Sequence, residues 1–220
     1  MPDAAPLETR VAACVVHYRT PDLLDAAIRT FAHHYPRVRV LVIDNGSGAD
    51  VRPALDALAA SVPTVDLLVL EANEFHGPAM HRAMRALETP YVFFLDSDTE
   101  TRRGGFLEAL AEALDADPDA YAAGEVARVN ERGFAGGTIP VPVSAHMLIR
   151  GAHYRVLPAF EHHGLPVLAN MRAAQARGLK VVPVPVARAV WHKGRGTAER
   201  FGYGLGWRSR LDFLLNRLGW

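Results

Sequence analysis

Apolar residues in this chain fall into two kinds of run, and the two kinds alternate. Val11–Val16, "VAACVV", is apolar without a break, as expected of a strand buried on both faces. In the next stretch, "TPDLLDAAIRTFAHH", Leu23, Leu24, Ala27, Ile28 and Phe31 share one face of a helix. Thr20 can cap that helix and Pro21 suits its first position. The alternation then repeats. "VRVLVID" reads as a strand, "VRPALDALAA" as a helix, "VDLLVL" as a strand, "GPAMHRAMRAL" as a helix opened by Gly77-Pro78, and "YVFFL" as a fourth strand. Strand–helix–strand order with short links predicts a parallel sheet with right-handed crossovers. Ligands of such sheets bind beyond the carboxyl ends of the strands. Asp44, Asn73 and Asp96 each stand at or just after such an end.

The second half is less regular. "GGFLEALAEALDADPDA" is an amphipathic helix ending before Pro118, and "YAAGEVARVNERGFAGGTIPVPVSAHMLI" reads as strands joined by a Gly-rich turn. "LANMRAAQARG" is a helix stopped by Gly178. "LKVVPVPVARAVWH" is extended, and its prolines suit an edge or irregular strand. No repeat, linker or shift of composition divides the chain. Residues 1–220 therefore read as one α/β domain with a mostly parallel central sheet flanked by helices. Residues 1–10 read as a flexible N-terminus and 198–220 as a tail helix. In that tail Trp207, Leu211, Leu214, Leu215 and Leu218 share a face, with Arg208, Arg210 and Arg217 among the polar positions. Docking on the domain or on a second subunit, as in a homodimer, is the preferred reading; contact with a membrane surface is the other.

Composition adds mainly exclusions. The chain has 220 residues and no net formal charge, so no basic field is available to grip nucleic acid. Arginine supplies all but two of the basic side chains, Lys180 and Lys193, which reads as codon bias. Cys14 is the single cysteine, so no intrachain disulfide can form and a reducing compartment is the default. "MPDAAPLETR" has no apolar core of signal-peptide type, and no run is long enough to cross a bilayer. A cytoplasmic protein is expected, peripheral at the membrane if the tail binds there.

The chemistry starts at Asp96-Ser97-Asp98. Two carboxylates one residue apart raise the pKa of at least one unless something positive holds them. A divalent cation such as Mg²⁺ or Mn²⁺ takes hard oxygen ligands and is often shared between one or two carboxylates and substrate phosphates. The competing reading is a helix cap at Asp98 or Thr99. Position after a fully apolar strand favours the metal. After the second strand, Asp44-Asn45-Gly46-Ser47 offers a carboxylate that can accept from a nucleobase N–H; the alternative is a plain polar turn.

Taken in chain order, "HYRTPDLLDAAIRTF", "DNGS", "NEFHGPAMHRAM" and "DSD", each set against a strand, resemble the family-2 glycosyltransferases of the GT-A fold. "VSAHMLIRGAHYRVLPAFE", Val143–Glu161, resembles the family's acceptor-side segment, and "VWHKGRGT", Val190–Thr197, the segment that gives a late histidine to the metal. The resemblance runs from Val11 to Thr197. It implies a GT-A, Rossmann-like fold and metal-dependent, inverting transfer of a sugar from a nucleoside diphosphate sugar, a UDP-sugar first of all. The acceptor would be a hydroxyl on a glycan, a lipid-linked or a small molecule. By the same resemblance, His17, Tyr18 and Arg19 approach the base or ribose, Asp44 binds the base, and Asn73 and Gly77 line the nucleotide pocket. Asp96, with Ser97 beside it, meets ribose or water. Asp98 and His192 hold Mn²⁺ or Mg²⁺, and Lys193 and Arg195 face the diphosphate. Many inverting members carry an acid pair after the acceptor-side turn. Here no acid stands between His162 and Gly178, so Glu161, His162 and His163 are the candidates for the catalytic base. Two alternatives follow: a catalytically silent nucleotide-sugar binder, and a sugar-phosphate nucleotidyltransferase. "VVHYRTPD" lacks the glycine loop that the latter needs.

Overall fold

The computed structural model describes residues 5–161 and 165–194. His162, His163, Arg195 and the tail helix expected over 198–220 lie outside the described residues. A short turn of helix, α1 (Leu7–Arg10), leads into β1 (Val11–His17). It falls within the stretch read as a flexible N-terminus. Arg10 ties it down by pairing with Asp115 and lying over the Tyr91 ring, 5.5 Å from its centre.

The alternation read from the sequence is then followed closely: α2 (Pro21–His34), β2 (Val40–Asp44), α3 (Arg52–Ser61), β3 (Val65–Val69), α4 (His76–Ala86) and β4 (Tyr91–Leu95). β1 pairs in parallel with both β2 and β4, and β2 with β3. The unbroken apolar runs are explained by burial on both faces. Val11, Ala13, Val15, Phe93 and Leu95 pack on one side with α2, α3 and, from further along the chain, Leu107 and Leu110; Ala12, Cys14, Val92 and Phe94 pack on the other with α4. A fully buried Phe or Leu contributes about 2–3 kcal/mol, so these layers form a rigid base for whatever lies at the strand ends.

After β4 come β5 (Thr99–Thr101), α5 (Phe106–Asp115), β6 (Ala120–Val129), β7 (Ile139–Arg150), α6 (Gly151–Tyr154), α7 (Leu168–Ala176), β8 (Lys180–Pro183) and β9 (Val190–His192). The main sheet has the order β3-β2-β1-β4-β7-β6-β8. Only β7 runs against its neighbours, so the sheet is mostly parallel, as expected. β6 and β7 form the expected hairpin. The extended segment "LKVVPVPVARAVWH" is divided between two sheets. Its proline-rich first part is edge strand β8, and its last residues, β9, pair antiparallel with β5 in a separate two-stranded ribbon. Thr20 stands at the N-cap of α2, but its hydroxyl makes no cap bond; it turns to the Tyr18 carbonyl at 3.4 Å. Among the described residues no helix is long and apolar enough to cross a membrane.

Candidate active site

β4 ends in a tight turn. The Asp96 amide donates to the Ala145 carbonyl at 3.0 Å, and the Asp96 carbonyl accepts from Thr99 N–H and from the Thr99 hydroxyl, at 3.2 and 2.7 Å. The turn delivers the chain into β5, so Asp98 and Thr99 open a strand and cap no helix. The ribbon then brings in the last part of the chain. Thr99 lies opposite His192, and the Lys193 amide donates to the Asp98 carbonyl at 2.9 Å. His192 Nε2 comes within 3.3 Å of Asp96 Oδ2 and 3.2 Å of Asp98 Oδ1. One ligand atom from each of Asp96, Asp98 and His192 can be chosen so that all lie within 4.8 Å of one another. Two hard oxygens and an imidazole fit a Mn²⁺-type cation, and an ion among them would relieve the crowding of the two carboxylates. Gly194 N–H donates to His192 Nδ1 at 2.9 Å, so the ring's proton sits on Nε2, facing the carboxylates. The hydrogen bond to Asp96, aided by the charges of Asp98 and Asp96, raises the pKa of His192 despite partial burial.

Two further histidines converge on Asp96, and neither stood out in the sequence. His76, at the start of α4, brings Nε2 to 3.8 Å from Asp96 Oδ1. His146 pairs across from Leu95 and is 5% exposed, and its Nδ1 has no hydrogen-bond partner among the described residues. A break in register makes this placement possible. Gly124 faces Met147 but Val126 faces Pro142, so residues 143–146 of β7 oppose Glu125 alone and swing toward the end of β4. Burial would raise the Asp96 carboxyl, but the hydrogen bond from His192 and the fields of His76, His192 and His146 outweigh it and hold the group below its usual range. Burial pushes His146 down. Glu125 Oε1 accepts from Val186 N–H and Ala187 N–H, at 2.9 and 3.0 Å, and so anchors the loop that leads into β9. A histidine inside an apolar strand ("SAHMLI") and one directly before Gly77-Pro78 were the signals available for these two residues.

The loops after β1 and β2 are tied together by side chains. His17 Nε2 accepts from Thr20 N–H at 3.0 Å, which leaves Nδ1–H to donate to Asp44 Oδ1 at 3.0 Å. The Ser47 hydroxyl also bonds Asp44 Oδ1, and Ser47 N–H donates to Asp44 Oδ2 at 3.2 Å. Burial alone would raise the Asp44 carboxyl; the bonds from His17 and Ser47 lower it overall. His17 and Asp44 are thus buried and engaged with each other. Tyr18 and Arg19 lie outside them, the Arg19 guanidinium over the Tyr18 ring at 5.2 Å and its amide donating to Ser47 Oγ. The loop after β3 is fixed by two asparagines. Asn45 Nδ2 donates to Asn73 Oδ1 at 3.1 Å, Asn45 Oδ1 accepts from Glu74 N–H, and Asn73 Oδ1 accepts from Phe75 N–H. Phe75 occupies φ 69°, ψ 168°.

On the acceptor side, Gly77 is buried where a Cβ would come within 1.5 Å of the Glu161 carbonyl oxygen. Its lack of a side chain lets the 157–161 segment close against α4. The Glu161 amide donates to the Pro166 carbonyl at 2.9 Å, and the residue is exposed. Ser97 is buried between the two aspartates, and Lys193 pairs with Glu100 at 2.5 Å. The structure therefore brings together Asp96, Ser97, Asp98, His192 and Lys193. It places His17, Tyr18, Arg19, Asp44 and Asn73 in a second group at the ends of β1–β3, with the start of α4 linking the two.

A family model described as "Glycosyl transferase family 2" matches residues 12–157. Among solved structures, the mannosyltransferase PcManGT from Pyrobaculum calidifontis, in complex with GDP-Man and Mn²⁺, superposes with a TM-score of 0.65 at 19% identity. That match covers 83% of this chain and 57% of the other. S. aureus TarS 1–349 in complex with UDP-GlcNAc superposes with a TM-score of 0.58 at 16% identity, covering 80% of this chain and 56% of the other. The chain thus spans less than three fifths of the structures it matches, and at these identities the likeness concerns the fold. No curated protein matches the chain.

Proposed function

Because the chain belongs to glycosyl transferase family 2, we propose that it moves a sugar from a nucleoside diphosphate donor to a hydroxyl acceptor, with inversion and with help from a divalent metal. The observation that carries this reading is the convergence of Asp96, Asp98 and His192 at the carboxyl end of β4. Asp98 and His192 would hold Mn²⁺ or Mg²⁺, with Asp96 beside them. When bound, such an ion neutralises charge on the departing diphosphate. Lys193, already drawn to this corner by Glu100, would add a second positive charge, and Arg195 a third.

The loops after β1, β2 and β3 would receive the nucleoside. Asp44 would serve the base by fixing the geometry of residues 17–20 and 44–47, its carboxylate turned inward toward His17 and Ser47. A UDP-sugar is the first expectation for the donor. A GDP-sugar is the second, because the mannosyltransferase relative carries GDP-Man. An inverting transfer needs a base on the acceptor side, within hydrogen-bond reach of the attacking hydroxyl. Glu161 is the first choice, since its backbone packs against Gly77 beside the site, with His162 and His163 next to it in sequence.

Calorimetric titration of UDP and of GDP, with Mn²⁺ and with excess chelator, tests the reading. Binding of one nucleotide that needs the metal, and that Asp98→Ala abolishes, is the expected result. Equal affinity with and without metal would remove the ion from the mechanism. Glu161→Gln, His162→Ala and His163→Ala should then be compared for turnover. Loss of the true base lowers it by about 10²–10⁴ with nucleotide affinity nearly unchanged. Metal-dependent nucleotide binding without transfer or donor hydrolysis would instead make the protein a silent binder.

A further inference from the structure

His192 is not carried by the main sheet. It belongs to β9, which pairs with β5 in the separate ribbon. Where its ring lies therefore depends on residues 184–190, which leave edge strand β8 and cross to that ribbon. This stretch is tied to β6 at the break in β6–β7 register. Val184 N–H donates to the Gly124 carbonyl at 2.9 Å. Glu125, at the break itself, accepts from Val186 N–H at 2.9 Å and from Ala187 N–H at 3.0 Å through one oxygen, Oε1. The Val186 carbonyl in turn accepts from Ala189 N–H and Val190 N–H, at 2.8 and 3.0 Å, closing a turn directly before β9. The Ala189 carbonyl accepts from Arg102 N–H, just past β5, at 2.7 Å. Val186 and Val190 are buried, whereas Ala187 and Arg188 are exposed. A continuous series of bonds thus runs from Glu125, through the 186–190 turn, to both strands of the ribbon.

We infer that Glu125 is a positioning residue for His192: its carboxylate fixes the turn that sets where β9 lies against β5, and so where the imidazole meets Asp96 and Asp98. This rests on the metal reading given above. Burial of the two valines holds the turn against the core, and two amides on one charged oxygen fix its direction. Loss of a partner that orients a metal ligand typically costs about 10- to 100-fold in metal affinity. The charge of Glu125 is also felt at His146, so a direct pull on the cation is the rival explanation.

Three variants of the full chain separate geometry from charge. Glu125→Gln removes the charge and keeps an oxygen that can accept both amides. Glu125→Asp keeps the charge on a side chain one methylene shorter, which cannot reach both. Ala187→Pro deletes one of the two donors; residue 187 is the second position of the turn closed by Ala189 N–H, where proline is favoured. Mn²⁺ affinity is measured by calorimetry, and ligation by the imidazole nitrogen modulation of the Mn²⁺ EPR signal at saturating metal, with His192→Ala as the reference lacking that ring. Glu125→Gln should bind Mn²⁺ like wild type, whereas Glu125→Asp and Ala187→Pro should bind it about 10-fold more weakly and show a weakened nitrogen signal. In a His192→Ala background, Glu125→Asp and Ala187→Pro should change Mn²⁺ affinity no further, because the ligand they displace is gone. Loss in Glu125→Gln with wild-type affinity in Glu125→Asp would show that the charge acts directly, and would overturn the inference. So would wild-type affinity in both Glu125→Asp and Ala187→Pro, or equal losses with and without His192. If wild type itself showed no imidazole nitrogen on Mn²⁺, the metal reading would fail first, and the inference with it.

Discussion

His17 and Asp44 illustrate how one proton position decides what a residue can do. Because Thr20 N–H is donated to His17 Nε2, the imidazole proton must sit on Nδ1, and Asp44 receives it. Asp44→Ala should lower stability by about 3 kcal/mol, since it removes bonds to a buried charged group. The sign with pH follows from the lowered carboxyl pKa. Asp44's contribution is full above the ordinary carboxylate value of about 4 and fades as pH falls through its lower native value. Urea midpoints from neutral pH downward should show this loss in wild type and not in Asp44→Ala; parallel curves would make the network energetically idle. His192 works in the opposite sense. Its pKa is raised, so its pairing with the carboxylates stabilises the metal-free protein below about pH 6.5 and is lost as pH rises through the native value. A metal on the ring competes with the proton that makes His192 cationic. Mn²⁺ affinity should therefore climb with pH, by up to about tenfold per unit, until His192 has titrated. His192→Ala should weaken binding and flatten this slope; an unchanged slope would mean that another group releases the proton.

At the scale of elements, legibility depended on length and period. β1, β2, β4 and the helices between them were readable because burial on both faces leaves unbroken apolar runs, and burial on one face leaves a helical stripe. β5 and β9 were not. Each has three residues, too few to show a period, and each forms only because the other is there. The same limit hid His146, whose place at the site depends on a break in β6–β7 register, and His76, whose approach to Asp96 depends on the direction of α4. Of the candidate site, the two carboxylates were legible from their position after an apolar strand, and His192 from the family resemblance. Asp44's inward turn was not, because its partners Ser47 and His17 look like ordinary loop residues. The α4 end offers a direct test. Gly77→Ala places a methyl 1.5 Å from the Glu161 carbonyl oxygen, so backbone must move. It should lower stability by at least about 2 kcal/mol in thermal denaturation, and lower turnover more than nucleotide affinity. A Gly77→Ala protein that melts like wild type would contradict the close approach of α4 and the 157–161 segment.

For the molecule as a whole, nucleotide and metal should act on stability together. A ligand that binds only the folded state adds RT ln(1 + [L]/Kd), about 2.7 kcal/mol at a hundredfold excess over Kd. UDP or GDP with Mn²⁺ should raise the melting temperature in a concentration-dependent way, and nucleotide with chelator should raise it far less; the same shift in both would place the nucleotide away from Asp98. The ribbon of β5 and β9 has a consequence for biosynthesis. Asp96 and His192 meet across 96 positions of chain, so most of the protein must have left the ribosome before His192 can reach the two carboxylates. A nascent chain that has made only β4 and β5 has the two carboxylates and His76 but not His192. On the metal reading proposed above, an ion held by all three side chains would be captured late, once β9 has closed onto β5.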